Sequence, residues 1–171
     1  MESKSAGSSI YDFSIKDEKG QLVDFKNFKG KVILITNIAT KCGFTPQLKD
    51  FQQLNEKFSN REFVIVGIPS NDFGEQTPEG KDKKVTDFCS TSYDVKFLIT
   101  EMVKVKGKDK HPIFDFIAKK RGGIFNIMWN FEKFLFDVNG NLVESYRSIT
   151  KPLDGGLVRK IEELLPPSVK K

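Results

Sequence analysis

Cysteine, histidine and tryptophan are scarce in this chain of 171 residues, which holds two cysteines (Cys42 and Cys89), one histidine (His111) and one tryptophan (Trp129). Two cysteines are too few to staple a disulfide-built secreted scaffold. A single histidine weighs against a His-rich metal centre and against a Ser-His-Asp hydrolase, so no metal is expected. No apolar run approaches the roughly 20 residues that a helix needs to cross a bilayer, which excludes an integral membrane protein. The opening residues MESKSAGSSI have neither the apolar stretch of a secretory signal nor an Arg-rich amphipathic pattern. A cytoplasmic location is therefore the default expectation. No Gly- or Pro-rich linker cuts the chain into two domains, and no internal repeat is visible.

Phenylalanine, by contrast, is abundant at 16 residues, and hydrophobic residues make up 38% of the chain, enough for one core in one domain. The net charge of +5 could suit nucleic acid, but the 28 Lys and Arg residues are scattered among 23 acidic ones. They form no long basic run and no basic–aromatic interleaving, so a mildly basic solvated surface is expected rather than a nucleic-acid face. Such a surface would still favour a thiolate and attract anionic partners.

The hydrophobic pattern predicts an α/β fold in a single domain. YDFSI and LVDF flank Gly20 as an opening β-hairpin. Val32 to Ile38 and Phe63 to Ile68 are short, nearly continuous apolar runs, as expected of strands buried on both faces. Between them Thr45 reads as the N-cap of a helix with Pro46 in its first turn, and Leu48, Phe51, Leu54 and Phe58 follow at helical spacing. Lys81 to Tyr93 and Pro112 to Lys120 read as helices, and Phe134–Phe136 and Leu142–Tyr146 as strands around an Asn139-Gly140 turn. An amphipathic helix carrying Leu157, Ile161 and Leu165 closes the chain before Pro166-Pro167. The order is ββ-β-α-β-α-β-α-ββ-α, in which the strand between the second and third helices has no residues assigned. Residues 1–9 and 166–171 are expected to be flexible ends.

Cys42 follows the first buried strand and precedes a helix start, a favoured place for sites in α/β sheets. Unpaired helix N–H groups, the helix dipole and the neighbouring Lys41 would all favour its thiolate. That position favours a reactive thiol over a small hydrophobe. Cys89 shares an apolar helix face with Val85, so spacing alone favours a buried structural thiol. Asn71 and Gln76 lie after the second buried strand, on the same edge as Cys42, where ordinary turn chemistry would also account for them. Trp129 and Asn130 precede a later strand, where a core Trp is the plain alternative. His111 before Pro112 suits a helix cap.

The stretches KGKVILITNIATKCGFTPQ (29–47), GIPSNDFGEQTP (67–78) and WNFEKFLFDVNG (129–140) resemble the glutathione peroxidase family, in its cysteine-containing, thioredoxin-dependent, phospholipid-hydroperoxide-type form. The resemblance runs from about Ile10 to Leu165. It implies a thioredoxin fold with an extra N-terminal β-hairpin and an inserted helix, and no cofactor. It implies that Cys42 is the peroxidatic residue, with Gln76, Trp129 and Asn130 completing a catalytic tetrad around it. It also implies that Cys89, in FCSTSYDVKF (88–97), is the resolving cysteine. The implied activity is a peroxidase acting on hydrogen peroxide and organic or lipid hydroperoxides. A Cys42–Cys89 disulfide would then be reduced by thioredoxin or a related dithiol protein. A peroxide sensor relaying oxidation to a partner protein, or a glutathione-dependent enzyme, would use many of the same residues. Asp72 stands where the family pattern has a Gln, which places an acid near the pocket. The short stretch from Lys120 to Trp129 lacks the subunit-packing loop of tetrameric relatives and implies a monomer.

Overall fold

The computed structural model describes residues 9–77, 84–122 and 127–167. A small antiparallel hairpin, β1 (Ser14–Lys16) with β2 (Leu22–Asp24), opens the chain as expected. Short 3-10 turns at Ile10–Asp12 and Phe25–Phe28 flank it. The main sheet has the order β5-β4-β3-β6-β7, built from β3 (Val32–Ile38), β4 (Phe63–Pro69), β5 (Leu98–Ile99), β6 (Lys133–Phe136) and β7 (Leu142–Tyr146). β3 pairs in parallel with β4, and β4 in parallel with β5, while β6 runs antiparallel to both β3 and β7. The helices are α1 (Gln47–Lys57), α2 (Lys84–Tyr93), α3 (Pro112–Lys120) and α4 (Gly155–Leu164). This is the thioredoxin arrangement, extended by the N-terminal hairpin and an inserted helix.

Every residue of β3 is buried, which accounts for its unbroken apolar run. Strand geometry alternates its side chains. Val32, Leu34 and Ile38 pack with Leu48, Phe51 and Leu54 of α1, Val85 and Cys89 of α2, and Leu157 and Ile161 of α4. Ile33 and Ile35 pack on the other side with Phe114, Phe116 and Ile117 of α3 and with Ile10, Ile15 and Phe25 of the N-terminal segment. Each such fully enclosed Leu, Ile or Phe stabilises the fold by roughly 1.5–3 kcal/mol. The sheet is thus held from both faces, and its strand ends can carry exposed loops without collapse.

Several boundaries differ from the sequence expectations. β4 continues through Pro69, one residue beyond the expected run, and Pro69 pairs with Ile38 at the end of the ladder. β5 supplies the strand expected between the second and third helices. The second helix is described from Lys84, residues 81–83 lying outside the described residues. Residues 1–8 and 168–171 also lie outside them. Of the remaining end positions, Ser9 forms a capping box with Asp12, and the Pro166 carbonyl accepts a bond from Arg61.

Candidate active site

The loop after β3 carries Cys42, and its shape comes from a threonine. The Thr45 hydroxyl accepts the Cys42 N–H at 2.9 Å and donates to the Ala39 carbonyl at 2.9 Å. Thr45 therefore folds the cysteine loop on itself instead of capping the following helix. α1 begins with Pro46 at its cap and no side-chain cap bond, which corrects the N-cap expectation. The hydroxyl proton is committed to Ala39 and the oxygen is turned to the Cys42 N–H, so the side chain faces back into the loop rather than towards the first N–H groups of α1. The sulfur, in a residue only 7% exposed, accepts the Phe44 N–H at 3.3 Å.

Gln76 is brought to this loop from the end of β4. Its carbonyl accepts the N–H groups of Thr40 (3.1 Å) and Lys41 (2.8 Å), the two residues before Cys42. Gly74 and Glu75 both have positive φ, at 68° and 51°, which turns the chain back towards β3. The side chain of Lys41 is exposed. Asn71 is used differently, since its Oδ1 accepts the Thr77 N–H at 2.7 Å and shapes the loop. Asp72 is likewise engaged elsewhere. Its carboxylate accepts the Val105 N–H at 2.7 Å and the Lys106 N–H at 3.2 Å, with Lys104 Nζ at 3.6 Å. The acid that replaces the family's glutamine thus holds the 104–106 segment.

The third segment is the turn before β6. Asn37, near the end of β3, grips it three ways. Its Nδ2 donates to the Trp129 carbonyl at 2.9 Å, its Oδ1 accepts the Glu132 N–H at 3.1 Å, and its carbonyl accepts the Phe131 N–H at 2.6 Å. Phe131 sits at φ 66°, an unfavourable left-handed conformation for a bulky residue that this grip sustains. Glu132, 1% exposed, accepts the Met128 and Trp129 N–H groups at 2.7 and 3.2 Å and lies 3.7 Å from Arg121. Asn130 is fully buried, and its Nδ2 donates to Gln76 Oε1 at 3.2 Å, while its Oδ1 has no hydrogen-bond partner among the described residues.

Trp129 is not a core tryptophan. It is 36% exposed, lies 5.7 Å from the Phe73 ring, and lines a depression of about 390 Å³ with Phe44, Met128, Arg147 and Ile149. Phe44, whose N–H meets the Cys42 sulfur, thereby joins the cysteine loop to the tryptophan. Cys89 is wholly buried in α2, in the same apolar cluster as Cys42, and neither cysteine is part of a disulfide among the described residues. His111 caps α3, its Nδ1 accepting the Ile113 N–H at 3.2 Å, and burial lowers its pKa below the usual value.

Four residues that shape this region were not singled out from the sequence as doing so: Asn37, Glu132, Lys133 and Gln47. Asn37 stands inside an apolar strand, and Glu132 and Lys133 inside the apolar run Phe131 to Phe136. A polar residue at such a place is the available signal, since burial without a partner is unfavourable.

The model of the glutathione peroxidase family matches residues 10–118. The chain is 42% identical over 161 residues to the glutathione peroxidase-like peroxiredoxin 2 of Saccharomyces cerevisiae, covering 92% of this chain and 98% of that protein. It is 41% identical over 168 residues to the hydroperoxy fatty acid reductase of Synechocystis sp., covering 94% and 98%. The crystal structure of T. cruzi GPX1 aligns with a TM-score of 0.74 at 27% identity, over 92% of this chain and 96% of that one. The chain belongs to the glutathione peroxidase family and is an enzyme of the thiol peroxidase class.

Proposed function

We propose that Cys42 is the peroxidatic thiol and that Gln76, Trp129 and Asn130 serve it as hydrogen-bonding partners of the reacting oxygens. The observation that carries this reading is the Phe44 N–H on the Cys42 sulfur, in a loop tied directly to Gln76 and through it to Asn130. The Cys42 thiolate attacks one peroxide oxygen, the O–O bond breaks, and the departing alkoxide or hydroxide takes a proton to leave as alcohol or water. Amide and indole N–H donors placed near the departing oxygen would stabilise the charge that develops there. The sulfenic acid left on Cys42 condenses with the Cys89 thiol, releasing water and forming a disulfide. A dithiol protein of the thioredoxin kind then reduces that disulfide by exchange, leaving its own disulfide behind.

The wholly buried Cys89 requires α2 to loosen before it meets Cys42. Hydrogen peroxide and organic hydroperoxides are the substrates of this reading. The open apolar depression beside Trp129 and the hydroperoxy fatty acid reductase relative support hydroperoxides with long apolar tails. A monomer acting in the cytoplasm completes it.

Stopped-flow oxidation of the reduced protein by stoichiometric hydrogen peroxide, read by Trp129 fluorescence and followed by a free-thiol count, tests the reading. Fast quenching with loss of both thiols is expected. Cys42→Ser should abolish the reaction, whereas Cys89→Ser should give one fast oxidation and no turnover with thioredoxin. Normal thioredoxin-linked turnover in Cys89→Ser would remove the resolving role. Turnover with glutathione in that variant would assign the glutathione-dependent route.

A further inference from the structure

Lys133 takes no part in the chemistry above, yet its side chain is completely enclosed in β6. Its Nζ donates to Gln47 Oε1 at 2.7 Å and to the Ser148 carbonyl at 3.1 Å, and lies 5.7 Å from the centre of the Phe51 ring. Gln47 Nε2 donates to the same Ser148 carbonyl at 2.8 Å, and the Ser148 hydroxyl donates to the Asn130 carbonyl. Enclosing an amine in this way is unfavourable, and burial pulls its pKa down to about 7. A methionine of similar length would avoid the cost of enclosing the amine but would leave Gln47 Oε1 without its donor, so what the lysine contributes here is its two hydrogen bonds.

Connectivity accounts for those bonds. Gln47 opens α1, five residues after Cys42, and Lys133 follows Asn130 by three residues. The amine therefore joins the segment that carries the nucleophile to the segment that carries the amide, and Ser148 closes the link onto Asn130 itself. Asn130 in turn holds Gln76.

We propose that Lys133 is a positioning residue that, through Gln47 and Ser148, clamps the Cys42 loop and the Asn130 turn in the geometry needed to cleave a peroxide. The two bonds need only two N–H groups, so the clamp persists whether or not the amine carries its third proton. The inference rests on Cys42 being the peroxidatic thiol.

Two reactions of Cys42, both followed in a Cys89→Ser background, test it. Hydrogen peroxide requires the amides to be in place, whereas iodoacetamide requires only an accessible thiolate. Lys133→Met should slow oxidation roughly 10- to 100-fold, the scale of a small misplacement of reacting groups, with alkylation unchanged within about twofold. Gln47→Leu and Ser148→Ala should show the same selective loss. The double variant Gln47→Leu/Lys133→Met should be no slower than its slower parent, because both changes cut one link.

Unchanged oxidation in folded variants would overturn the clamp, and so would an equal fall in both reactions. If Lys133→Met does not fold, Gln47→Leu and Ser148→Ala decide the matter by the same two rates. A parent Cys42 that meets peroxide no faster than free cysteine would overturn the peroxidatic reading, and the clamp with it.

Discussion

Replacing Lys133 by Met should change how stability responds to pH. In the folded protein the buried amine gives up its proton near pH 7, whereas in the unfolded chain it keeps it to about 10.5. Between these values the unfolded state binds the extra proton, so stability rises with pH. The unfavourable contribution of the lysine is complete below pH 7 and fades as the pH approaches 10.5. At most, the rise is about 1.4 kcal/mol per pH unit, and on the order of 5 kcal/mol over the whole window.

Urea unfolding of wild type and Lys133→Met at pH 6, 7.5 and 9 isolates this contribution, since other groups cancel in the difference. Tyr146, held by burial up to about pH 12, titrates above the range in any case. The wild type should gain on the variant by roughly 2 kcal/mol or more between pH 6 and 9. Parallel stability curves would refute the burial argument, because they would mean that the amine keeps an ordinary affinity for its proton.

His111 should act at the acid end. Burial keeps its imidazole neutral in the fold below its usual value, so the unfolded state takes up the proton first and stability falls as the pH drops below about 6.5. His111→Asn, which retains a capping acceptor, should flatten that acid slope in a thermal-melt series; an unchanged slope would contradict it. Gly140 adopts φ 81°, and a Cβ there would meet Ser9 Oγ and Tyr11 Cδ2 at 2.8 Å. Gly140→Ala should therefore lose about 2–3 kcal/mol and lower Tm by roughly 4–12 °C, and a wild-type melting curve would count against this. Glu132→Ala removes the acceptor of two N–H groups and leaves Arg121 without its carboxylate. It should cost about 3–5 kcal/mol and give Trp129 a red-shifted emission with lower anisotropy, while unchanged anisotropy would show that Glu132 does not hold the turn.

The parts of the fold legible in the sequence are those governed by near neighbours. An unbroken apolar run marks β3, Pro112 marks the start of α3, and Asn139-Gly140 marks the β6–β7 turn. The candidate residues Cys42, Gln76, Trp129 and Asn130 could be named because their motifs are distinctive. What the sequence hid is long-range. A strand is expected between α2 and α3, but which two residues form β5 is set by its pairing with β4, which no local pattern records. Thr45 looks like a helix cap until the Ala39 carbonyl is found within reach of its hydroxyl. The apolar run around Glu132 and Lys133 hints at burial, but their partners are set by the fold: Lys133 pairs with Thr36 of β3, and Glu132 accepts the Met128 and Trp129 N–H groups. Asn71 and Asp72 share the Cys42 edge in sequence, but their side chains are turned to Thr77 and to the 104–106 segment.

Besides packing Ile15 under the main sheet, the N-terminal hairpin is tied by its backbone to the residues just after β5. Asp17 bridges Thr100, and the Glu101 N–H donates to the Lys16 carbonyl at 3.0 Å. β5 follows α2 by only a few residues, so the loosening of α2 proposed for the release of Cys89 would pull on the outermost strand of the sheet. The hairpin fastens the far end of that strand from outside the helix. Unpaired strand edges recruit other chains, and an enzyme that opened one at every turnover would court aggregation each time it worked. Fastened in this way, the strand would stay paired while the helix before it moved in the proposed cycle, and the protein would not expose that edge to its own copies.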